Sequence, residues 1–424
     1  MRLSSTFFQL DNYMRPLRYT LFLLLLWPLY GLASPADKAE VIHWWISAGE
    51  SRALNVIVDA FEEKGYRWLD TPVETSFHAK SAALSRILDG HPPVMMQWHA
   101  GISLKNLWNE GILRDIDHLA QQQNWQQKLP DAIWNNISVD DHIVAVPVTL
   151  HVGNWLWGNR QILDELGLSP PQSWDGFLKM APKIAEAGYI PLAVGGQAWQ
   201  ERSLFMTVLL GTGGPKLFQE AFTDHKESAL SGPAMIKALE TFKKLKAFTD
   251  KDSPGRSWSD TASLVTEKKA AFMVMGDWVK GEFLQAGLVP DKDFTCTLSP
   301  GSHGKIITIS DVFAMARVSE ETDRHMQTVL AEILMDPDIQ QKFSLHKGSI
   351  PPLQGVDPSP FDTCAQLAME MVSKPATTLP GFNMSNSGIM ASAIMAVIHS
   401  FWEGEDSPHN AAKALAQAIR ESDI

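Results

Sequence analysis

The chain has 424 residues, of which 45% are hydrophobic and 20% are charged. This composition excludes disorder, collagen and coiled coil as the main class, and the length suits two to three domain equivalents or one two-lobed body. Asp and Glu number 48 against 36 Lys and Arg, which gives a formal net charge of -12. An acidic chain lacks the electrostatic footprint of a nucleic-acid-binding protein, so no nucleic-acid partner is expected.

Residues 1–33 have the pattern of a secretory signal peptide. Arginines precede an apolar stretch over residues 19–32, and small residues lead to a cleavage site after Ala33. The alternative is a membrane anchor, but the run is marginal in length for a span and contains Pro28. We therefore expect an exported chain, whose translation starts at Met1 or at Met14. In an oxidising compartment Cys296 and Cys364 could form one disulfide, and two free buried thiols are the alternative.

Strand-like and helical patterns alternate in the first part of the mature chain. Ser47 and Glu50 have the spacing of a capping box, and Leu54, Ile57 and Phe61 follow at helical spacing. The other elements predicted here are strands at 41–45, 73–75 and 94–98 and helices around 84–88 and 104–111. This alternation indicates an α/β layer with a largely parallel sheet.

The rest of the chain is richer in helices. Residues 143–150 are extended but contain Pro147, which predicts an edge strand or a crossing segment. The elements predicted after it are helices at 174–187, 204–210, 234–248 and 262–269, strands at 306–309 and 312–316, and helices at 331–346, 391–401 and 411–421. A helix-rich stretch between two sets of strands suggests two lobes with more than one chain crossing.

The common motifs of catalysis are missing from the sequence. There is no G-x-S-x-G, H-E-x-x-H, C-x-x-C or P-loop, and the glycines at 211–214 lack the third glycine of a dinucleotide fingerprint. The 13 histidines are scattered without metal-ligand spacing on one element. We expect no catalytic residue, no cofactor and no metal, although inspection leaves open a glycosidase-like pair of carboxylates.

Tryptophan is plentiful, with 15 residues against 5 tyrosines, and several stand where predicted segments end. Trp44 and Trp45 end the first strand-like run, Trp98 ends the third, and Trp199 and Trp278 follow Gly-containing turns. Ligands bind beyond the carboxyl ends of strands in α/β sheets, and an indole is a flat partner for the C–H face of a sugar. We expect these residues to line a sugar site. Neighbouring strand residues face opposite ways, so one of Trp44 and Trp45 should touch the ligand.

Eight short segments carry a family resemblance and run in order along nearly the whole mature chain. They are HWWISAGE (43–50), RILDGHPP (86–93), WNEGILRDID (108–117), VPVTLHVGNWLWGN (146–159), W-D-x-F (174–177), LLGTGG (209–214), AAFMVMGDWVKGEF (270–283) and HKGSIPP (346–352). The chain resembles the periplasmic sugar-binding proteins of ABC transporters, extracellular solute-binding family 1, and its glucose/mannose-binding branch in particular.

The resemblance implies an α/β, two-lobed periplasmic-binding-protein fold of type II with a helix-rich second lobe and multiple hinge crossings. The N-terminal lobe would comprise residues 34–147 with 309–360. The C-terminal lobe would comprise residues 148–308 with 361–424. The crossings are expected near 145–149, 308–311 and 350–365.

The positions of the tryptophans and the resemblance together predict a set of ligand-binding residues. The set is Trp44, Trp45, Lys80, Trp98, His151, Asn154, Trp199, Trp278, Asp311, Lys347 and Asn383. Trp98 and Asn383 lie where the sequence departs from the family, and Asp277 falls in the MGDW motif with Trp278. For Lys80, His151 and Asp311 the alternatives are a solvated helix start, a buried histidine and a structural acid. Glucose binders carry a histidine near Asn383, and QWHAG at 97–101 also departs from the family, so the sugar itself stays open.

The resemblance therefore predicts a monomeric periplasmic receptor that closes on a neutral monosaccharide or small oligosaccharide. It would perform no chemistry and would deliver the sugar to ABC permease subunits in the inner membrane. One alternative is a sensor subunit that signals to a membrane receptor. A more distant alternative is a secreted glycoside hydrolase.

Overall fold

The structure is a computed structural model that describes residues 37–422. The predicted signal peptide lies outside these residues. The strands are β1 (Lys38–His43), β2 (Arg67–Pro72), β3 (Met95–His99), β4 (Ser138–Val139), β5 (His142–Ile143), β6 (Ala145–Val152), β7 (Trp155–Asn159), β8 (Ile190–Ala193), β9 (Ala270–Met275), β10 (Phe294–Leu298), β11 (Ile306–Met315) and β12 (Thr378–Pro380).

Helices account for most of the remaining regular structure between residues 37 and 422. They are α1 (Ala48–Glu62), α2 (Ser76–Leu88), α3 (Ile102–Asn109), α4 (Asp117–Gln122), α5 (Trp125–Lys128), α6 (Asp131–Ile137), α7 (Arg160–Leu166), α8 (Trp174–Glu186), α9 (Ala198–Phe222), α10 (Glu227–Ser231), α11 (Pro233–Leu245), α12 (Trp258–Thr266), α13 (Val279–Gln285), α14 (Glu321–Leu334), α15 (Pro337–Lys347), α16 (Thr363–Val372), α17 (Phe382–Ser385), α18 (Gly388–Glu403) and α19 (Pro408–Ser422).

Two separate sheets organise the molecule. The six-stranded sheet has the order β12-β11-β3-β1-β2, and β6 pairs with β11. β1 is parallel to β2 and β3, whereas β11 is antiparallel to β3 and β6. The four-stranded sheet has the order β10-β7-β9-β8, with β8 parallel to β9. The parallel pairs place the carboxyl ends of their strands at one edge of each sheet.

The chain passes between the sheets more than once. It leaves the six-stranded sheet after β6 and enters the four-stranded sheet at β7, and it returns between β10 and β11. After β12 it enters α18 and α19, which pack against each other and, respectively, against α9 and α11. Each sheet is covered by helices, and the buried apolar side chains form two clusters.

Local signals for helix starts are confirmed. The side chain of Ser47 accepts a hydrogen bond from the backbone N–H of Glu50, whose carboxylate accepts in return from the N–H of Ser47. Ser173 caps α8 by accepting from the N–H of Gly176. Of the two alternatives for residues 143–150, an edge strand or a crossing segment, the edge strand is confirmed, because β11 is the one strand of the sheet that β6 pairs with in the described chain. The register of this pair shifts beside Pro147.

Three predictions of elements are wrong. The two strands predicted at 306–309 and 312–316 are the single strand β11. The second strand is Arg67–Pro72 rather than 73–75, and it is a sheet edge that leaves most of its side chains accessible and so carries no apolar run. The predicted helix over 331–346 is two helices. Asp336 caps the second by accepting from the N–H groups of Asp338 and Ile339, and Pro337 starts it.

The structure decides between the two alternatives for the cysteines. Cys296 and Cys364 form a disulfide that joins β10 to the first turn of α16. Within the described part of the chain, no helix is long and apolar enough to cross a membrane.

Candidate functional site

The carboxyl ends of strands from both sheets meet around Asp311. In the six-stranded sheet, the register of β11 places Asp311 opposite His99 at the end of β3 and opposite Thr149 of β6. In the four-stranded sheet, β9 ends at Met275 and is followed at once by Asp277 and Trp278. Strand ends of this kind are where α/β proteins place ligand-binding groups.

Asp311 is a buried carboxylate with polar neighbours from two strands, β3 and β6. The side-chain nitrogen of Gln97 donates to Asp311 Oδ2 over 3.0 Å. The side-chain oxygen of Gln97 accepts from the N–H of Trp44. The Nε2 atoms of His99 and His151 lie 3.7 and 3.9 Å from Asp311 oxygens. Burial raises the pKa of Asp311, an effect that His151 and Lys347 oppose. Asp311 can therefore accept hydrogen bonds from hydroxyl groups that reach the site.

His151 connects Asp311 to the four-stranded sheet. Its Nδ1 is hydrogen-bonded to Asp277, whose second oxygen accepts from the N–H of Val152 over 2.8 Å. The imidazole meets the indole of Trp278 edge-on at 5.3 Å between ring centres, and Trp199 lies 6.2 Å beyond that indole. Both tryptophans, each predicted separately as a ligand-binding residue, are half-buried. The structure thus brings them together with part of each residue accessible.

The groups around Asp311 described so far form one side of a cluster. Its opposite side consists of Lys80, Trp44, Trp98 and His99. Lys80 Nζ lies 2.9 Å from His99 Nδ1 and sits over the rings of Trp98 and Trp44 at 4.6 and 5.9 Å. The ring of Trp44 lies 5.0 Å from that of His99. Burial lowers the pKa of Lys80 to about 7, with Arg202 adding to the fall and Asp311 opposing it. Burial, followed by the charges of Lys80 and Arg202, also lowers the pKa of His99.

Arg202 and Asn383 complete the cluster. Arg202 Nη1 donates to the amide oxygen of Asn383 over 2.9 Å, and the guanidinium lies over the ring of Phe382 at 4.7 Å. The amide nitrogen of Asn383 lies 3.4 Å from His99 Nε2. Arg202 is only 8% exposed, and burial lowers its pKa to about 10. Asn383 is thus in contact with two groups of the site, at the position where the departure from the glucose binders occurs.

Three of the predicted ligand-binding residues are buried against other protein groups instead of facing the cluster around Asp311. Trp45 is 1% exposed and packs against Phe313 and Phe343 in the core, so Trp44 is the member of the pair that faces the cluster. Asn154 is fully buried, where its amide donates to the carbonyl of Lys305 and accepts from the N–H of Ile307. These bonds hold the β6–β7 connection against the start of β11.

Lys347, the third of these residues, is paired with an acid. Its Nζ lies 3.2 Å from Glu50, and both side chains are almost fully buried. Glu50 is at the same time the capping-box partner of Ser47, as expected from the sequence. The pair lies close enough to Asp311 for both charges to affect its pKa. Lys347 therefore belongs to the second layer of groups around the carboxylate.

Three residues of the cluster escape the sequence-based selection, namely Gln97, His99 and Arg202. Gln97 and His99 lie two residues apart and therefore on the same face of β3, a strand whose side chains are all buried. Polar side chains at two such positions of a buried strand are the signal that could have identified them. Arg202 follows Trp199 by three residues, which places both on one face of α9.

Other features are weaker candidates for a site. One surface cavity of about 380 Å³ is lined by residues that include Trp45, Trp68 and Pro72. A second cavity, of about 280 Å³, is lined by residues that include Lys280 and Asp362. Neither holds the convergent set of buried polar groups seen around Asp311, and such groups need partners. Asp115, Asp117 and His142 lie within reach of one another at the surface, but Asp117 is already bound by His142 and by the N–H of Ile143.

Comparison with known proteins identifies the family of this chain. The profile of the bacterial extracellular solute-binding proteins matches residues 47–320. A probable sugar-binding periplasmic protein of Rhizobium meliloti is 34% identical over 91% of this chain and 94% of its own length. A protein of the same description from Brucella suis is 33% identical over 91% and 93%.

Solved structures share the fold. A chitin oligosaccharide binding protein superposes with a TM-score of 0.79 at 17% identity, and the match covers 92% of this chain and 99% of that one. A maltose-bound binding protein of T. maritima gives 0.76 at 18% identity and covers 91% and 100%. The architecture is therefore the two-lobed, type II periplasmic-binding-protein fold. This chain belongs to the family of bacterial extracellular solute-binding proteins.

Proposed function

We propose that the protein is the periplasmic sugar receptor of an ABC-type importer, and that the sugar binds in the cluster around Asp311. The observation that carries this proposal is the convergence of half-buried indoles and buried polar groups from both sheets. Trp44, Trp199 and Trp278 offer flat apolar surfaces, while Asp311 and Asn383 can pair with hydroxyls. The named relatives from Rhizobium meliloti and Brucella suis, described as probable sugar-binding proteins, support it.

Binding would act by favouring the state in which the two lobes are together. A ligand that contacts groups of both lobes gains more free energy in that state than in one with the lobes apart. Glu282 of α13 already joins the two parts, because its Oε1 accepts from Ser47 Oγ over 2.7 Å and from the N–H of Gly49 over 2.9 Å. We propose lobes of residues 34–147 with 309–360 and 148–308 with 361–424, as the family resemblance implies.

No chemical step is part of this proposal. Of the two carboxylates in the cluster, Asp277 has both oxygens engaged, by His151 and by the N–H of Val152. A glycosidase needs a second carboxyl group facing the same bond as the first, and Asp277 is not available for that role. We further propose that the protein is a periplasmic monomer that delivers its sugar to inner-membrane permease subunits, as members of the family do.

A thermal-shift screen tests the proposal. Mature protein is heated with a panel of neutral and acidic mono- and oligosaccharides, and at a hundred times the Kd a ligand should stabilise it by about 2.7 kcal/mol. Trp44→Ala should lose the response, whereas Trp134→Ala, a half-buried tryptophan outside the cluster, should retain it. A panel without any stabilising sugar would refute the proposal.

A further inference from the structure

The buried cations of this protein differ in whether they have an ion-pair partner. Lys280 and Lys347 are each 2% exposed, and each forms an ion pair, with Asp362 at 2.7 Å and with Glu50 at 3.2 Å. Arg202 is 8% exposed but forms no ion pair with any carboxylate between residues 37 and 422, and its Nε lacks a hydrogen-bond partner there. A buried charge without a counter-ion is costly, so an unpaired arginine in a candidate site needs an explanation.

Lys80, a half-buried lysine on the other side of the cluster, also lacks an ion pair. Its ammonium group contacts His99 and the faces of Trp44 and Trp98, and within the described residues it has no ion-pair partner. Lys80 and Arg202 are linked through two shared neighbours, because Lys80 Nζ lies 2.9 Å from His99 Nδ1, the amide nitrogen of Asn383 lies 3.4 Å from His99 Nε2, and Arg202 donates to the amide oxygen of Asn383. The two cations therefore belong to one electrostatic environment.

Neither of these two cations forms an ion pair with an acid of the cluster. Glu50 is paired with Lys347, and Asp277 is engaged by His151 and a backbone N–H. Asp311 remains, and its nearest charged or polar neighbours are Gln97 and the two histidines. Among the described residues, Lys80 and Arg202 thus each lack a carboxylate within ion-pair distance.

We infer that the ligand of this site is a sugar that carries one carboxylate, a sugar acid of the uronate class, with its carboxylate bound between Lys80 and Arg202. This inference rests on the proposed function and replaces the neutral sugar that the family resemblance implies. The planar guanidinium is held by Asn383 and Phe382 and suits a planar carboxylate. Asp311 and the indoles would hold the hydroxyls and the ring.

Calorimetric titration of matched sugar pairs tests the inference. Glucose is compared with glucuronate and galactose with galacturonate, as monosaccharides and as short oligomers, and glucose 6-phosphate is included. We expect the acid of the best pair to bind about tenfold or more tightly than its neutral counterpart, as is usual for a charge-assisted hydrogen bond in a buried site. Arg202→Gln and Lys80→Gln should each remove most of that preference and change the affinity for the neutral sugar much less.

Two controls make the outcome decisive. Lys374→Gln removes a positive charge from an exposed ion pair and should leave the preference intact. Arg202→Lys keeps the charge and serves if Arg202→Gln fails to fold, as judged by circular dichroism. Preference for a neutral sugar or for glucose 6-phosphate would overturn the inference and leave the proposed function standing. Binding of no sugar at all would instead refute the proposed function.

Discussion

The adjacent residues Trp44 and Trp45 should separate ligand binding from stability. The side chain of Trp45 is 1% exposed and packs against Phe313 and Phe343, with ring centres 5.7 and 5.3 Å away. Removing a buried indole of this kind costs about 3–5 kcal/mol. Trp45→Ala should therefore lower the free energy of unfolding by that amount and, in the molecules that remain folded, change sugar affinity only modestly.

Trp44→Ala should have the opposite profile. The ring is half-buried and contacts His99 and Lys80, groups of the proposed site. Burial of an indole removes about 150–250 Å² from water, and only part of that area is involved here, so we expect a loss of about 1–2 kcal/mol in stability. Loss of an aromatic contact at the centre of a site should cost about 2 kcal/mol or more in binding, roughly thirtyfold in Kd.

Urea unfolding and calorimetry, measured on both variants and on Trp134→Ala, check this pair of expectations. The titrant is the sugar that gives the largest thermal shift with the unmodified protein. Trp134 is also half-buried but lies in α6, away from the cluster, and controls for the loss of an indole as such. Unchanged affinity in Trp44→Ala, or abolished binding in a stable Trp45→Ala variant, would refute the assignment of Trp44 to the site.

Three further perturbations follow from the structure. The pKa of Lys80 falls from 10.5 to about 7 on folding, so its penalty is complete below pH 7 and disappears by about 10.5. The free energy of unfolding should rise across that window, as measured by urea melts, and Lys80→Met should remove this part of the rise. Gly49→Ala places a Cβ 2.6 Å from Glu282 Oε1 and should weaken sugar binding about tenfold by disfavouring lobe contact, whereas Gly388→Ala, with open space, should not. Small-angle scattering would show whether the lobes move apart. Reduction of the Cys296–Cys364 disulfide, which spans 68 residues, should cost about 4 kcal/mol in urea melts, and unchanged stability would contradict a structural role.

Local features of the fold could be predicted because their causes lie within a few residues. The capping box of Ser47 and Glu50 and the helical spacing of Leu54, Ile57 and Phe61 require no knowledge of the rest of the chain. The edge position of β6 likewise follows from Pro147 itself. Prediction failed for β2, where the pairing partner rather than an apolar run makes the strand.

One of Trp44 and Trp45 was expected to face the ligand and the other the core, but the reason given for this does not apply. The expectation used the alternation of side chains along a strand, but β1 ends at His43 and both tryptophans follow it. What separates them is tertiary packing. Trp45 is held by Phe313 of β11 and Phe343 of α15, and the N–H of Trp44 is held by Gln97 of β3. Such contacts cannot be predicted from one segment.

The site itself depends on contacts between distant parts of the chain. Arg202 and Asn383 are 181 residues apart and meet only because α9 and α17 come together after separate chain crossings. Asn154 shows the converse, since its motif suggested a ligand contact and its amide instead joins two backbone segments. A polar residue in a matching motif can serve the ligand or the backbone, and only its partners distinguish the two roles.

The same long-range contacts explain how a ligand could couple to lobe closure. Burial lowers the pKa values of both Lys80 and Arg202, which means that bringing them into the cluster carries a desolvation penalty that Asp311 offsets only in part for Lys80. This penalty opposes the compact arrangement. A bound anionic group offsets it by supplying the missing counter-charge, and it can do so only where both cations are present. The ligand then favours the closed state in proportion to the difference between its affinities for the closed and the open state. The cations that select the ligand would therefore also couple its binding to closure.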